Sequence, residues 1–314
     1  CIRDSSDSPL PRLMRIDTID LQYLGLPQCA AAFLVRTHDA AALIECGPQV
    51  CLANLERGVA ALGTSLEAIG QLFVTHIHLD HAGAAGALTH RGLTVHVHPR
   101  GAAHLIDPTK LIDSSRRVHG SRFDEHYGEP LAARADRVRS VADGETIALG
   151  SLRLTALDTP GHARHHHAWL VEDGPERVCF VGDVAGMRAP GSTFISVPAP
   201  PPEFDLEAWR HSLARLRELG ASGDLPLLLT HFGRIDDGQT HLDEFSRRIE
   251  TEVAWLLESF QTEPDDARRL DAYRTWLRPQ ALDSAATHAL LNAFLGETLL
   301  TMNVNGVRRW AERR

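Results

Sequence analysis

The sequence lacks several features that would assign it to a specialised class of protein. No run approaches the roughly 18 apolar residues that a membrane-spanning helix needs. The polar stretch from Cys1 to Pro9 has no apolar segment of the kind found in a secretory signal. We therefore expect residues 1–12 to form a disordered tail, and we expect a cytoplasmic protein with no membrane partner.

Cysteine is scarce and irregularly spaced. The five cysteines are an odd number, and none of them forms the paired C-x-x-C spacing of a zinc knuckle. Secreted proteins that rely on disulfides usually carry an even and denser set. The sequence therefore predicts free thiols and no disulfide framework.

Basic residues are fewer than acidic residues. Asp and Glu total 41 against 32 Lys and Arg, which gives a net charge of −9, and no long basic run occurs. We expect no nucleic-acid partner, because a phosphate backbone is recognised by clustered Lys and Arg. A small-molecule substrate remains compatible with this balance, even an anionic one held by a metal ion or a local Arg.

The apolar pattern that is present predicts two series of strands with helices between and after them. Short apolar runs bounded by turn residues predict strands from about residue 16 to 97 and again from about 138 to 230. Strands followed by helices, twice over, favour two packed β-sheets with helices outside.

The pattern after Asp236 is helical. Five apolar residues recur there at spacings of three or four, as on one face of a helix: Phe245, Ile249, Val253, Leu256 and Phe260. Pro264 and Pro279 are predicted to interrupt the helices that follow, the last of which runs from about residue 284 to 302. This helical tail either caps a pocket, forms a homodimer contact or packs on the flank of the sheets.

Histidine is the abundant residue, at 18 copies, and part of it is organised. His76 and His78 follow a predicted buried strand, and side chains two apart on extended backbone share a face, so both can reach one metal ion. Asp80 and His81 come next, at the turn into a helix, where they can face a second ion. Burying so many polar groups is costly unless something coordinates them. A solvated loop that happens to be rich in histidine is the less favoured interpretation.

Three further candidate ligands stand at the ends of apolar strands. His162 follows a strand and a Pro-Gly turn, Asp183 follows the apolar run Val178–Val181, and His231 follows the run Leu225–Thr230. Ligands in α/β proteins gather where the carboxyl ends of strands meet. We therefore expect these residues to lie near the His76–His81 run.

The ordered motifs resemble the metallo-β-lactamase superfamily, in its glyoxalase II-like and lactonase-like branch, from about Met14 to Phe232. The resemblance implies an α/β fold, an αβ/βα four-layer sandwich over residues 13–236, with a helical C-terminal extension over residues 237–314 packed on it. It implies two divalent metal ions, most simply Zn²⁺, although iron and manganese accept the same donors. It also implies two ligand sets bridged by one carboxylate: His76, His78 and His162; Asp80, His81 and His231; and Asp183 between them.

One position departs from the superfamily pattern. Members commonly carry Asp where this sequence has Glu45, and that residue usually supports the metal loop from behind. Glu45 is one methylene longer. It either still reaches the loop or is a carboxylate at the rim with no role.

The resemblance and the metal chemistry together predict a hydrolase. A hydroxide bridging the two ions would attack a thioester, lactone or simple ester, with Asp80 shuttling the proton and Asp183 holding both ions. The same site would also suit a phosphodiesterase or phosphotriesterase. A β-lactamase is disfavoured, because lactamases usually lack the bridging aspartate. An iron-dependent oxidoreductase similar to persulfide dioxygenases is the alternative from another class.

The remaining histidines receive weaker assignments. His165, His166 and His167 are interpreted mostly as a solvated run or as support for the ligands. A larger group of residues is more simply explained as surface or core than as substrate contacts: His96, His98, His104, His119, His126, Tyr23, Arg188 and Phe194.

Overall fold

Two six-stranded sheets lie at the centre of the computed structural model, which describes residues 14–221, 223, 225–282 and 288–314. The predicted tail at residues 1–12 lies outside the described residues. The first sheet contains, in spatial order, β1 (Arg15–Asp20), β2 (Ala31–Arg36), β3 (Ala41–Ile44), β4 (Gln71–Phe73), β5 (Thr94–Val97) and β6 (Val138–Ser140). The second contains β7 (Thr146–Leu149), β8 (Leu152–Asp158), β9 (His167–Asp173), β10 (Glu176–Phe180), β11 (Leu227–Leu229) and β12 (Gly233–Ile235).

Helices follow the strands and close the chain. Seven lie between strands of the first sheet: α1 (Leu52–Ala61), α2 (Leu66–Ile69), α3 (Leu79–Ala82), α4 (Ala85–His90), α5 (Pro99–Ile106), α6 (Thr109–His119) and α7 (Phe123–Tyr127). Five belong to the second half: α8 (Leu206–Gly220), α9 (Gly238–Thr262), α10 (Asp266–Leu282), α11 (His288–Phe294) and α12 (Glu297–Ala311). The predicted arrangement of two packed sheets, outer helices and a helical C-terminal region is confirmed. Within the described ranges, none of these helices has the length and hydropathy that crossing a membrane would demand.

The core between the two sheets is formed by alternate residues of each strand. Phe33 of β2 packs on Phe180 of β10, with ring centroids 5.2 Å apart, whereas its neighbour Leu34 belongs to the layer under the helices. Phe73 of β4 meets the edge of Trp169 at 5.0 Å. Burying each such side chain stabilises the fold by about 1.5–3 kcal/mol, which favours the face-to-face arrangement of the sheets.

The strand register brings four strand ends to one edge. In the second sheet Asp158 of β8 pairs with His167, and Phe180 of β10 pairs with Trp169 of β9 and with Leu228 of β11. The carboxyl ends of β8, β10 and β11 therefore lie at the same edge of the sheet, with the start of β9 between those of β8 and β10. The indole Nε1 of Trp169 donates a hydrogen bond to the Val74 carbonyl (3.0 Å), which ties this edge to the end of β4 in the first sheet.

Two predictions about the helical tail need correction. The stretch expected to be one helix up to about residue 302 contains two, because the backbone leaves the helical conformation at Gly296 (ψ 148°) before α12 begins. Pro279 does not interrupt a helix but lies inside α10. It falls in the last turn, where a proline removes one backbone hydrogen bond without a long helical segment to disrupt. The apolar face predicted for α9 is confirmed, with Phe245, Ile249, Val253 and Leu256 buried.

The cysteines within the described residues are unpaired, as predicted. The four that the structure describes are buried and free: Cys29, Cys46, Cys51 and Cys179. Burial raises the pKa of Cys29 to about 12 and that of Cys179 to about 12, so both thiols stay protonated and inert.

Candidate metal centre

The His76–His81 run occupies the junction between β4 and α3. His76 and His78 lie on the extended segment after β4, and α3 then makes a single turn that carries Asp80 and His81. This turn is held in place by the His81 carbonyl, which accepts hydrogen bonds from the backbone N–H groups of Cys46 and Gly47, both at 3.0 Å. The change from strand to helix lets four ligand-type side chains face one small volume.

Three imidazoles form the first cluster. His78 Nδ1 lies 2.9 Å from His76 Nε2 and 2.8 Å from His162 Nε2. His162 comes from the turn after β8, at the edge where the strand ends meet. Their three nitrogens converge as the donors of a single metal ion would.

Asp183 connects this cluster to a second one. Its Oδ2 lies 3.4 Å from His162 Nε2, and its Oδ1 lies 3.2 Å from His81 Nε2 and 3.7 Å from His231 Nε2. Asp80 completes the second cluster, with Oδ2 3.6 Å from His231 Nε2. One carboxylate therefore faces both groups of imidazoles, one oxygen to each.

The donor atoms fit divalent metal ions. His81 Nε2, His231 Nε2 and Asp183 Oδ1 are buried and, among the described residues, have no hydrogen-bond partner of suitable geometry. Each such atom would cost about 1–3 kcal/mol if nothing bound it. In two of the histidines the other ring nitrogen is held by a backbone carbonyl. His231 Nδ1 donates to the Cys29 carbonyl at 2.7 Å, and His162 Nδ1 donates to the Pro198 carbonyl at 2.8 Å. These bonds place a proton on Nδ1 and turn the Nε2 lone pair toward the centre.

The electrostatics of the cluster favour cation binding. Burial and the neighbouring imidazoles hold the pKa of His76 and of His78 well below the ordinary histidine value, so both are neutral donors. Burial opposes ionisation of Asp183, but His81 and His162 hold its pKa well below the usual range. For His81, burial acts to lower the pKa, yet Asp183 and Glu45 raise it well above normal. A metal ion bound at His81 Nε2 would displace that proton.

Glu45 supports the loop that carries His76 to His81. Its side chain is fully buried, and its Oε1 accepts hydrogen bonds from the hydroxyls of Thr75 (2.5 Å) and Thr230 (3.3 Å) and lies 3.1 Å from His81 Nδ1. The extra methylene relative to Asp accompanies a backbone φ of 63°, a left-handed conformation that few residues other than glycine adopt. Of the two readings of Glu45, the structure favours the one in which its carboxylate reaches the loop.

The three histidines after His162 are buried, so the solvated interpretation of them was wrong. His165 lies 3.3 Å from Glu203 at the edge of the cavity described below. His166 contacts the Asp183 backbone, and His167 bonds to Asp158 at 2.8 Å. Simple strand alternation could not place them, because the turn after His162 is irregular and β9 begins only at His167.

A second group of possible metal donors, His98, Asp158 and His167, is better explained by hydrogen bonds. The Asp158 carboxylate lies 3.3 Å from His98 Nε2 and 2.8 Å from His167 Nε2. His98 Nδ1 already accepts the backbone N–H of Arg100, so the ring proton must lie on Nε2, where a metal would otherwise bind. The group is therefore a hydrogen-bonded triad.

A cavity of about 600 Å³ opens onto the metal centre. Of the weaker candidates, four line it: Tyr23, His104, His119 and His126. The others do not. His96 stacks on Phe73 in the core, His98 belongs to the triad, Arg188 pairs with Glu244, and Phe194 is buried against Arg248.

Sequence reasoning missed the residues that the C-terminal helices contribute to the cavity wall, among them Phe294, Leu299 and Met302. They lie more than 60 residues beyond the last predicted ligand, His231. No local pattern relates them to it, because only the packing of the whole chain brings them together.

Comparison with known proteins agrees with this geometry. A family model described as the metallo-beta-lactamase superfamily matches residues 29–222, which is more than half of the chain. The chain belongs to this superfamily. Most members of the metallo-beta-lactamase superfamily are hydrolases that bind divalent metals, and the His and Asp clusters here fit such ions.

Individual relatives within the superfamily are distant. The metallo-beta-lactamase fold-containing protein ST1585 of Sulfurisphaera tokodaii is 27% identical over 202 residues, which are 62% of this chain and 70% of that one. Its crystal structure aligns with a TM-score of 0.66 at 20% identity, covering 93% and 98% of the two chains. The hydroxyacylglutathione hydrolase of Maricaulis maris is 31% identical over 152 residues, 48% of this chain, and the match spans only 44% of that enzyme.

Proposed function

We propose that the protein is a metal-dependent hydrolase of an ester-type bond, in a thioester, lactone or simple ester. The observation that carries the proposal is the position of Asp183, whose two carboxylate oxygens face two separate sets of imidazoles. A carboxylate placed in this way is suited to hold two cations close together. Water then adds across the acyl–heteroatom bond and gives a carboxylic acid and an alcohol or thiol.

The proposed ligands divide as the superfamily pattern implies. His76, His78 and His162 would hold a first ion, Asp80, His81 and His231 a second, and Asp183 both. Ions bound there would acidify a water molecule to a nucleophile near neutral pH and polarise the scissile carbonyl. Zinc suits this nitrogen and oxygen donor set, although iron and manganese accept it too.

Asp80 is proposed to move the proton. Its side chain lines the cavity and lies beside His231. Burial opposes ionisation, but the hydrogen bond with His231 and the charge of His81 hold the pKa of Asp80 below its ordinary value. The carboxylate is therefore ionised at neutral pH, and the oxygen that does not face His231 would accept a proton from water and return it to the leaving group.

The relatives support ester-type chemistry over other reactions. The hydroxyacylglutathione hydrolase of Maricaulis maris is named for hydrolysis of a thioester, and it aligns with about half of this chain. That enzyme is longer than the matched region, so its own substrate is not carried over. The similarity to this relative supports the class of bond that is cleaved, an ester-type bond, and not a particular substrate.

Metal analysis followed by a panel of thioester, lactone, phosphodiester and phosphotriester substrates tests the proposal. The Asp183→Asn variant keeps the shape of the side chain but removes its charge. We expect it to lose most of the bound metal and at least 100-fold in kcat/KM. Asp236→Asn is the matched control, because Asp236 forms only a surface pair with Arg234. Full activity and unchanged metal content in Asp183→Asn would refute the proposal.

A further inference from the structure

The cavity above the metal centre has apolar walls that come from three distant parts of the chain. Leu24 follows β1, Val118 belongs to α6, and Phe294 and Leu299 come from the C-terminal helices. Leu24 and Val118 are 43% and 46% exposed, and both line the same cavity, so they form part of one apolar surface. A ligand occupying the cavity would remove both from water.

Helix α6 presents one face to this cavity. Six of its residues line the wall at helical spacing: Lys110, Leu111, Ser114, Ser115, Val118 and His119. The face spans ten residues, or about 14 Å at 1.5 Å per residue. No side chain of α6 is fully buried: Leu111 and Ile112 pack partly against the core, whereas Val118 is 46% exposed and is not explained by core packing.

A positive charge stands at one end of that face. Lys110 is the only lysine in the sequence, whose net charge is −9. In the part of the chain that the structure describes, no carboxylate lies within ion-pair distance of Lys110. Arg122, in the turn that follows α6, donates a hydrogen bond to Thr298 (2.5 Å) and so joins the two walls of the cavity. Lys110 is the cation at the opposite end of the α6 face.

We propose that the substrate is an anionic amphiphile, an inference that rests on the proposed ester-type hydrolase. Its ester or thioester carbonyl lies at the metal centre, and its apolar body runs between α6 and the C-terminal helices. A negatively charged group at the far end of that body pairs with Lys110. The residues that select this substrate, Val118 and Lys110, are separate from the proposed metal ligands.

Esters that differ in one property at a time test this assignment. Naphthyl acetate and naphthyl hexanoate differ in apolar length, and the naphthyl monoester of adipic acid carries a terminal carboxylate in place of the terminal methyl group of the hexanoate. We expect kcat/KM to rise at least ten-fold from acetate to hexanoate, because each buried methylene favours binding. The adipate monoester is expected to exceed hexanoate by a further three-fold or more.

Two pairs of variants separate the two contacts. Val118→Asp is expected to abolish the preference for longer chains, whereas Val50→Asp, at an equally exposed valine outside the cavity, retains it. Lys110→Met is expected to abolish the preference for adipate, whereas Arg117→Met removes a charge from α6 outside the cavity wall and retains it.

Binding of the anilides of hexanoic and adipic acid, measured by calorimetric titration, gives a readout without turnover. Ester hydrolysis with no preference for length or charge overturns the anionic amphiphile and leaves the hydrolase intact. Anilide binding that Lys110→Met weakens, without hydrolysis of any ester, supports the cavity assignment and refutes the proposed function. Preferences that survive both Val118→Asp and Lys110→Met overturn the assignment of these residues.

Discussion

The buried imidazole of His166 accepts a hydrogen bond from the backbone N–H of Asp183, at 3.2 Å. Its other nitrogen, Nδ1, lies 2.8 Å from the hydroxyl of Thr159, three residues before His162. The ring therefore joins the loop that carries His162 to the loop that carries Asp183. Burial holds the pKa of His166 well below normal, so the ring stays neutral and can accept at Nε2 and donate at Nδ1.

Replacing His166 should loosen the metal centre without removing a ligand. We expect His166→Ala to weaken metal binding about 10- to 100-fold, the usual effect of losing a group that orients ligands. Competition with a chelator measures the affinity directly. His96→Ala is the control, since His96 is also buried but bonds to Gln71 in the core. Equal metal affinity in the His166 variant and the wild type would contradict this role.

Glu45 should contribute both to stability and to metal affinity. Glu45→Ala leaves Thr230 and His81 without a buried acceptor, while the Thr75 hydroxyl still lies 3.0 Å from His76 Nδ1. At about 1–3 kcal/mol for each unsatisfied group, this predicts a loss of roughly 2–6 kcal/mol. Urea denaturation measures the free energy of unfolding. Glu45→Gln, which keeps one oxygen, should lose less. The control Glu56→Ala removes a surface pair with Arg91 and should change stability by less than about 1 kcal/mol.

Asn303 links the C-terminal helix to a proposed ligand. Its Oδ1 accepts the Ala199 N–H at 2.8 Å and its Nδ2 donates to the Val197 carbonyl at 2.7 Å, while the Pro198 carbonyl between them binds His162. We expect Asn303→Ala to lower the free energy of unfolding by about 2–4 kcal/mol and also to weaken metal binding.

The neighbouring Asn305→Ala is the matched control for this link, because Asn305 lies on the same helix but is only partly buried. It should change neither quantity appreciably. A stability loss in Asn303→Ala with metal affinity unchanged would show that α12 supports the fold alone.

His96 should make stability depend on pH. Burial lowers its pKa to about 4, from the ordinary value of 6.5. Between these values the unfolded chain binds a proton that the folded protein does not, so stability falls as the pH drops from about 6.5 to 4. The contribution reaches about 3 kcal/mol at pH 4. The free energy of unfolding of His96→Gln, measured from pH 7 to 4.5, should decline less steeply than that of the wild type, and parallel curves would contradict the assignment.

Much of the candidate site was predictable because its determinants are local. His76 and His78 are two residues apart on the extended segment that follows β4, so their side chains turn to the same side. Apolar runs before His162, Asp183 and His231 identify strand ends, and strand ends meet at sheet edges. The structure brings all seven residues together, and their role as metal ligands stays a prediction for metal analysis to test.

Other features depended on contacts that no local pattern encodes. Burial of His165, His166 and His167 follows from the loops packed against them, not from their own spacing. Glu45 reaches the metal loop only because its backbone takes a left-handed conformation that the fold imposes. Pro279 sits within α10 because tertiary packing outweighs the loss of one backbone hydrogen bond.

The approximate positions of the strands, the family resemblance and the nature of the donor atoms followed from the sequence alone, because periodicity and short-range spacing are properties of neighbouring residues. The tertiary structure alone decided what surrounds those donors. Val118 and Phe294 line one cavity although 176 positions separate them in the sequence. They lie close together because many side chains from distant parts of the chain are buried together. The local pattern of one sequence does not show which side chains these are.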